Sequence, residues 1–423
     1  MTRPITALIW AIAALCVCGP ALAEPDLLSK DAFTGLIDLR AAGADGQTSF
    51  LHGGFGKTRF GGDSSGGLQG HAALADAALV WQPQLTWALG AVIDAEHQDG
   101  QQHAIDIVQA YFSYRPAPKG AVRYAVKVGL FYPPISQEHE GPTWSVANTI
   151  TPSAINTWIG EEVKVIGGEA KITGKVGEQE LTATGGLFGY NDTAGALLAF
   201  RGWGLHDVKA TAFGDFRLPP LDRYMAARQP PFTSSTIEMD GRVGYYARLD
   251  WRPPGRFTVN GFYYNNDGDK VSLNHQLQWA WATQFWNFGA SWDVDDNTRV
   301  LSQVMTGTSL MGFPNGRSVW INIGYTSAYL LATHSIGKSA VSGRVELFQT
   351  SDRNFRPATD DPGDNRGESG WALTGDYRYQ INAHARLAIE AMHVDSKRPS
   401  LSEAGLPPKQ RQTVLQSSLR LTF

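Results

Sequence analysis

The sequence predicts an all-β protein, a transmembrane antiparallel β-barrel of about sixteen strands with one loop folded inward. Three observations lead to this fold class. Apolar and polar residues alternate with period two along most of the chain, the connections between these stretches are alternately short and long, and the last strand ends on an aromatic residue. The chain also contains 46 glycines, 13 Trp, 14 Tyr and 19 Phe, a composition typical of strands with aromatic belts at the membrane interfaces.

The first residues predict an export signal. Arg3 supplies the positive charge, and residues 5–17 form an apolar core that is too short to span a bilayer as a helix. Ala21 and Ala23 are small residues at the two positions that a signal peptidase requires. We therefore expect cleavage before Glu24.

This cleavage divides the chain into a signal peptide, residues 1–23, and one β-barrel domain, residues 24–423. Both cysteines, Cys16 and Cys18, lie in the signal. Each follows a bulky residue, whereas lipoprotein cleavage requires a small one, so we do not expect a lipid anchor. The mature domain then has no cysteine, which excludes a disulfide scaffold, a thiol nucleophile and a Cys-ligated metal.

No long apolar run follows the signal, so no transmembrane helix is expected. The mean hydropathy of −0.23 is also ordinary for a barrel, because its lumen face is polar. Alternation and turn signals predict strands at 33–42, 68–81, 85–96, 104–115, 121–132, 161–176, 180–190, 241–252, 256–265, 276–294, 298–310, 318–335, 340–351, 369–379, 384–395 and 411–423.

The connections between the predicted strands fall into two classes that alternate along the chain. Short turns are expected at 82–84, 116–120, 253–255, 295–297, 336–339 and 380–383, and long loops at 43–67, 133–160, 191–239, 352–368 and 396–410. Short periplasmic turns and long outer loops are typical of outer-membrane barrels, whereas a soluble propeller or sandwich has no reason to place its long loops on one side. The segment 197–203 could hide a further strand, which would break the even count.

The last strand carries a candidate assembly signal. Counting back from Phe423, every second residue through Leu421 and Leu419 lies on one largely apolar face. This pattern resembles the C-terminal signal that the barrel-assembly machinery reads in outer-membrane barrels. The alternative is an edge strand of a soluble β-sandwich.

Alternation also predicts which side chains line the lumen. The apolar set of each strand is expected to face lipid, because a charge there costs about 2–4 kcal/mol near mid-membrane. The opposite set is expected to face a water-filled lumen that is too wide for side chains to fill. The basic residues assigned to the pore wall are Arg123, Lys127, Arg242, Arg248 and Arg252.

The loop 133–160 is the predicted constriction, since it follows the fifth strand, where general porins place an inward-folded loop. The residues assigned to the acidic side of the constriction are Glu138, His139 and Glu140 in the loop and Glu161 and Glu162 at its exit. Acids facing a basic wall would create a transverse field that filters solutes by charge. Equally, these acids could be a solvated loop surface, with the arginines paired to neighbouring acids in the wall.

Two stretches of the fourth and fifth strands, Val108-Gln-Ala-Tyr-Phe-Ser-Tyr-Arg115 and Tyr124-Ala-Val-Lys-Val-Gly-Leu-Phe-Tyr-Pro-Pro134, resemble the "AY…R…VGxFxPP" block of phosphate-selective porins. The resemblance covers residues 104–170. It implies a sixteen-stranded outer-membrane barrel, often trimeric. The phosphate-selective members rely on Arg and Lys rings in the constriction, where this sequence has an acidic loop. The resemblance therefore implies the architecture and not the ligand.

Signals for chemistry are weak. Ser136 near His139 fits no catalytic motif, so we expect no catalytic residue, and neither a metal site nor a cofactor is expected. The acids Asp360, Asp364 and Glu368 could bind a divalent ion or bridge lipopolysaccharide, but a solvated loop is the simpler interpretation because the spacing does not match a calcium loop. No basic face for nucleic acid is present.

Three functions remain, in this order. The first is a passive channel for small hydrophilic solutes, in contact with outer-membrane lipid and lipopolysaccharide. The second is a substrate-selective channel for an anion, a sugar or an aromatic acid, with lumen aromatics such as Tyr246 as a stacking slide. The third is a non-conducting barrel with an enzymatic or adhesive function on loops 191–239 and 352–368.

Overall fold

The computed structural model describes residues 27–118 and 120–423, and the predicted signal peptide, 1–23, lies outside these residues. Sixteen strands form one closed antiparallel barrel, and two further short strands, β8 and β9, form a separate pair. The strands are β1 (Phe33–Ala44), β2 (Gln69–Trp81), β3 (Leu89–Gln98), β4 (Asp106–Tyr114), β5 (Val122–Phe131), β6 (Val165–Val176), β7 (Gln179–Gly189), β8 (Phe216–Arg217), β9 (Phe232–Thr233), β10 (Gly244–Arg252), β11 (Phe257–Asn265), β12 (Ala282–Asp293), β13 (Thr298–Met311), β14 (Ile321–Ile336), β15 (Ser339–Asp352), β16 (Glu368–Asn382), β17 (Ala385–Lys397) and β18 (Lys409–Thr422).

Pairing between the first and last strands closes the barrel. Leu36 of β1 lies opposite Thr422 of β18, and Leu39 lies opposite Leu419. The chain ends on Phe423, whose backbone exchanges two hydrogen bonds with Gly35, at 2.9 and 3.2 Å. Its ring occupies the space where a Cβ of Gly35 would stand. Full closure leaves no open sheet edge, which is the condition for a sheet to exist within lipid.

The connections separate into two ends, as the sequence predicts. The turn end holds short connections, such as 177–178 and 337–338, whereas the loop end holds long ones, such as 45–68 and 353–367. Among the described residues, no helix is both long and apolar enough to cross a membrane. Two helices interrupt the loops, α1 (Ala154–Glu162) and α2 (Ala196–Phe200), and the single-turn 3₁₀ helices are Lys30–Ala32, Phe50–His52, Pro142–Trp144, Pro362–Asp364 and Pro399–Ala404.

The predicted count of sixteen barrel strands is correct, but several predicted strands begin too early: β3, β10 and β14 begin at Leu89, Gly244 and Ile321 rather than at 85, 241 and 318. Residues 161–164 belong to α1 and its exit rather than to the sixth strand, which begins at Val165. The segment 276–281 stays in a loop, because the twelfth strand begins at Ala282. The segment 197–203 contains most of α2 instead of a hidden strand.

Alternation places the side chains as expected. In β10, Leu249 and Trp251 point outward and are 56% and 40% exposed, whereas Tyr246 points inward and is 2% exposed. The outward face of β18 carries Leu415, 58% exposed. The barrel therefore presents an apolar outer surface and keeps its charged residues inside, the reverse of a soluble protein.

The block that resembles phosphate-selective porins has a structural role. Gly129 of β5 lies opposite Tyr111 of β4 with φ of 142°. A Cβ there would stand 2.3 Å from the carbonyl oxygen of Ala110, so only glycine allows this close strand approach. The strand ends at Phe131. Pro134 lies at the start of the inward loop that follows, and its carbonyl accepts a hydrogen bond from Arg248. These contacts concern the fold and do not involve a ligand.

Candidate functional site

The segment 132–164 folds into the barrel, as expected for a constricting loop. It reaches three strands on the far wall: Glu138 pairs with Arg344 of β15 at 3.1 Å, the amide of Ile150 donates to Glu390 of β17 at 2.8 Å, and Arg420 of β18 donates to the carbonyl of Val146 at 3.3 Å. The inward loop is therefore fixed to the wall by charge-assisted hydrogen bonds along its length.

The helix α1 lies inside the barrel at the exit of this loop. Ser153 caps it by accepting a hydrogen bond from the Asn156 amide at 3.4 Å, and all nine of its residues are buried. Trp158 lies edge-on to the wall ring of Phe285 and is tilted against that of Tyr325, with centroids 5.3 and 5.2 Å away. Aromatic side chains thus fill this part of the lumen, where sequence reasoning placed water.

Three of the five predicted constriction residues have no contact with water. Glu138, Glu161 and Glu162 are each 0% exposed. Glu161 pairs with Arg201 at 2.6 Å. Glu162 accepts hydrogen bonds from the Trp158 indole at 2.7 Å and from the amides of α2 and its N-cap at 2.9 and 3.0 Å. These carboxylates fasten the inward loop to its surroundings and do not form an exposed acidic face.

Burial raises the pKa of both helix acids, Glu161 and Glu162, whereas their hydrogen-bond and charge partners lower it. Burial disfavours the charged form of both, yet Arg201 and His206 hold the pKa of Glu161 at about 2. For Glu162, burial dominates the hydrogen bonds it accepts and raises the pKa to about 7. One of the two acids is therefore ionised at neutral pH, while the other is half protonated.

The other two predicted constriction residues lie at the tip of the loop. Glu140 is exposed to solvent and pairs with Arg299 of β13 at 3.0 Å. His139 stacks on Trp144, which stacks in turn on Tyr132, with both centroid distances 3.7 Å. Burial and the nearby Lys209 lower the pKa of His139 to about 3, so this imidazole is neutral and adds no charge to the lumen.

The five predicted wall cations do not form a ring opposite the loop. Lys127 pairs with Glu169 at 3.3 Å, and Arg248 pairs with Asp250 at 2.6 Å. Arg123 and Arg252 share one acid, Glu180, at 2.6 and 3.7 Å near the turn end. Arg242 precedes β10 and pairs with Asp269 at 3.8 Å in the loops of the other end. Four of the five therefore pair with an acid of the wall, and Arg242 pairs with an acid of a loop.

A second inward segment, 191–212, was missed by sequence reasoning. Asp207 accepts Arg40 of β1 at 2.6 Å and Arg59 at 3.0 Å, and Lys209 binds Glu96 of β3 at 2.6 Å. The available signal was the charge on inward positions of β1 and β3. Charges that are buried in a wall need partners, and a second inward loop is one source of them.

Cavities remain at both ends of the barrel. One of about 770 Å³ lies at the turn end beside β4–β7 and β10, a smaller one of about 410 Å³ lies there beside β16–β18, and one of about 800 Å³ lies under the loops of the other end. Three cations that line the two turn-end cavities make neither an ion pair nor a side-chain hydrogen bond within residues 27–118 and 120–423: Arg115, Lys171 and Arg386.

One group of carboxylates has the spacing of a metal site. Ligand oxygens of Asp192, Glu238 and Asp240 lie within 4.8 Å of one another. Protein amides already occupy them: Met239 donates to Asp192 at 2.5 Å, and Tyr190 donates to Glu238 at 3.0 Å. Burial, with Glu238 next, raises the pKa of Asp192 to about 7. Because these carboxylates already accept hydrogen bonds from protein amides, the spacing alone does not identify a metal site.

The acidic stretch near residue 360 does not converge on an ion either. Asp360 pairs with Arg317 at 2.5 Å, and Asp361 accepts a hydrogen bond from the amide of Gly363 at 2.8 Å. Glu368 is buried and pairs with Lys57. Asp360, Asp361 and Glu368 therefore each have their own protein partner, whereas the Asp364 side chain faces a cleft among the loops.

No protein-family model and no curated sequence matches this chain. Solved structures do. The anion-selective porin from Comamonas acidovorans is 11% identical, with 92% of this chain and 98% of that chain covered and a TM-score of 0.51. The outer membrane channel DcaP of Acinetobacter baumannii is 11% identical, with 93% and 99% covered and a TM-score of 0.53. At this identity the similarity concerns architecture, and the chain is a porin-like, closed sixteen-stranded antiparallel β-barrel.

Proposed function

We propose that this protein is a bacterial outer-membrane channel for passive diffusion of small hydrophilic solutes and ions, with a preference for anions. The barrel architecture, the apolar outer face and the long loops at one end support the membrane setting. The similarity of the fold to porins supports a channel. The charge preference rests on one observation: the free charges of the turn-end cavities are cations.

The acids that would favour cations are neutralised. Glu138 and Glu161 are buried beside arginines, and Glu140 pairs with Arg299. Arg115 and Lys171 have no such partner and face the larger turn-end cavity. A wall that carries unpaired charge of one sign raises the local concentration of the opposite ion. Anions should therefore enter more easily than cations.

The experiment is planar-bilayer conductance of the refolded barrel in a KCl gradient. We expect a reversal potential of the sign for chloride preference. Replacing Arg115, Lys171 and Arg386 together by Gln should move it toward zero or past it. Arg256→Gln is the matched control, because Arg256 is a turn-end arginine that is already paired, with Asp296 at 2.6 Å.

Each other result contradicts part of the proposal. Cation preference in the unmodified protein would mean that exposed acids such as Glu140 govern the entrance. An equal effect of the control would mean that overall charge, and not the cavity, sets the preference. Absence of conductance would reject the channel and favour a function carried by the loops.

Among anions, we propose phosphate as the first to test as a blocker, because the larger turn-end cavity holds the unpaired cations Arg115 and Lys171, and guanidinium and ammonium groups bind phosphate oxygens. A stacking slide for sugars or aromatic acids within the lumen is not proposed. Its candidate, Tyr246, is 2% exposed and donates a hydrogen bond to Glu169 at 2.6 Å. A ligand could not reach this ring without displacing the loop.

We also propose the associations that accompany this setting. These are contact with lipid and lipopolysaccharide on the outer face, insertion by the barrel-assembly machinery through the strand that ends in Leu419, Leu421 and Phe423, and a homotrimer. The trimer rests on the family resemblance alone. Light scattering of the detergent-solubilised protein measures it directly.

A further inference from the structure

A cleft of about 590 Å³ opens among the loops at the loop end. Four loops form it, 190–243, 312–320, 353–367 and 398–408. It is separate from the turn-end cavities that carry the proposed ion preference. Its volume lies within the range of about 300–1,000 Å³ that is usual for small-molecule sites.

Aromatic rings form one side of this cleft. Tyr224 is 44% exposed and meets Trp320 edge-on, with centroids 5.5 Å apart. Trp320 is held in turn by Trp279, at 4.9 Å, and Phe313, at 5.5 Å. The guanidinium carbon of Arg228 lies over the Tyr224 ring, 4.2 Å from its centroid, and 5.8 Å from the centroid of Trp320, so Arg228 covers one face of Tyr224. A braced aromatic face of this kind stacks on flat apolar surfaces.

Charged groups on the other side largely neutralise one another. Arg317 binds Asp360 through two hydrogen bonds, at 2.5 and 2.8 Å. Arg366 binds Asp222 through two further hydrogen bonds. The whole lining holds four arginines and five acids, so little net charge remains, although Arg223, Asp364 and Glu403 have no ion pair among the described residues. The charged groups of this lining favour a neutral ligand that both donates and accepts hydrogen bonds.

One buried acceptor in the cleft has no partner. Asn354 is 9% exposed, and its Nδ2 donates to the carbonyls of Val319 and Trp320 at 2.7 and 3.2 Å. These two bonds fix the orientation of the amide. Its Oδ1 is buried without a hydrogen-bond partner among the described residues, which is unfavourable for a buried acceptor. A donor supplied by a ligand would satisfy it.

We propose that this cleft binds a saccharide. A pyranose ring has an apolar C–H face, which fits against Tyr224 and Trp320. Its hydroxyl groups can donate to Asn354 and accept from the arginine edges, and it needs no net charge in the site. The site lies on the two loops, 191–239 and 352–368, that the sequence marks as candidates for a loop-borne function. The saccharide could be a free oligosaccharide or the core sugars of lipopolysaccharide.

The test is saturation-transfer NMR on the refolded barrel in a detergent without sugar groups. The probes are maltotriose, cellotriose and chitotriose as free saccharides, and lipopolysaccharide with a complete core against lipid A as surface sources. We expect saturation transfer to ring C–H protons of at least one saccharide and a saturable change in tryptophan fluorescence. Tyr224→Leu and Asn354→Leu should each weaken binding by about fivefold or more, since each removes a contact of about 1 kcal/mol.

Phe213→Leu is the matched control, because Phe213 is an aromatic residue of the same loop, 74% exposed and outside the cleft. It should leave binding unchanged. Heat-dependent gel mobility confirms that each variant forms a barrel. If a variant does not fold, displacement of one saccharide by another, followed by fluorescence of the unmodified protein, still tests for a single site.

Binding of a trisaccharide identifies a free saccharide as the ligand, and binding of complete-core lipopolysaccharide but not lipid A identifies a surface glycan. Equal binding of lipid A would overturn the proposal, because the lipid or its phosphates would then be recognised. Absence of saturable binding to every probe would overturn it as well, and so would binding that neither cleft variant changes. None of these results depends on ion conductance.

Discussion

The buried ion pair between Arg344 and the inward loop allows a sharp test of how this loop is held. Arg344 is 2% exposed and donates to Glu138 at 3.1 Å, to Glu346 at 2.8 Å and to the carbonyl of Thr151 at 2.7 Å. Glu346 also accepts the amide of Ala154 at 2.7 Å. One guanidinium therefore joins strand β15 to the loop in front of α1. The substitution Arg344→Gln removes this guanidinium and its ion pairs.

The expected effect is large and local. Removing one member of a buried pair leaves its acids uncompensated and costs about 3–5 kcal/mol. Since the barrel strands keep their own hydrogen bonds, this free energy acts mainly on the docking of the loop. At about 1.4 kcal/mol per factor of ten, the population with a displaced loop rises by about two to three and a half orders of magnitude.

The second pair between the same loop and the wall provides the control. Arg299 and Glu140 are 40% and 45% exposed, and exposed pairs contribute about 0.2–1 kcal/mol. Arg299→Gln should therefore change little. The two variants remove the same chemical group and differ in burial.

Two measurements can detect displacement of the loop. Single-channel recordings of Arg344→Gln should show larger and less steady conductance than the unmodified barrel. Limited proteolysis should cut within 132–164 faster, which does not depend on conduction. If Arg344→Gln and Arg299→Gln behaved alike in both assays, the claim that buried charge pairs hold the loop would be refuted.

Three further predictions concern the loop and the chain end. Thr143→Gly should raise the thermal midpoint of the loop's protection from protease, because Thr143 has φ of 56° and glycine relieves about 1 kcal/mol of strain there; an unchanged or lower midpoint would contradict this. Burial raises the pKa of Glu162 from 4.5 to about 7, so the folded protein binds this proton more tightly than the unfolded chain does. The protonated acid therefore stabilises α1 fully below pH 4.5, and this contribution is lost as the pH rises through 7. Protease cleavage of the loop should therefore be faster at pH 8 than at pH 5, and Glu162→Gln should flatten this difference; a variant as pH-sensitive as the original would oppose the assignment. Deleting Phe423 should lower the yield of heat-modifiable barrel in cells more than Phe423→Tyr does, because the terminal backbone exchanges two hydrogen bonds with Gly35; equal yields would exclude a role in assembly.

The period-two pattern predicts the barrel because it is a local property. Each strand alternates between lipid and lumen, and the residues that show this, such as Leu249 and Tyr246, need no knowledge of their partners. Errors in the bounds occur where lumen packing replaces strand pairing. Residues 154–162 form a helix, because inside the barrel their backbone cannot pair with a strand and must satisfy its own hydrogen bonds.

The candidate site was less predictable. The sequence shows that Glu138, Glu161 and Glu162 are acidic and lie near an inward loop, but not that each is buried against a partner far along the chain. Arg344 follows Glu138 by 206 residues, and Arg201 follows Glu161 by 40. Separations of this kind carry no periodic signal. The second inward segment escaped notice for the same reason.

The sequence by itself therefore determined the class of fold, the number of strands, the direction each strand faces and the end at which the long loops lie, because alternation and turn chemistry are read from neighbouring residues. Only the tertiary structure decided what the lumen contains. Whether a charged side chain faces water or is buried beside an opposite charge depends on which loop returns to which wall, and that is settled by packing between residues distant in sequence.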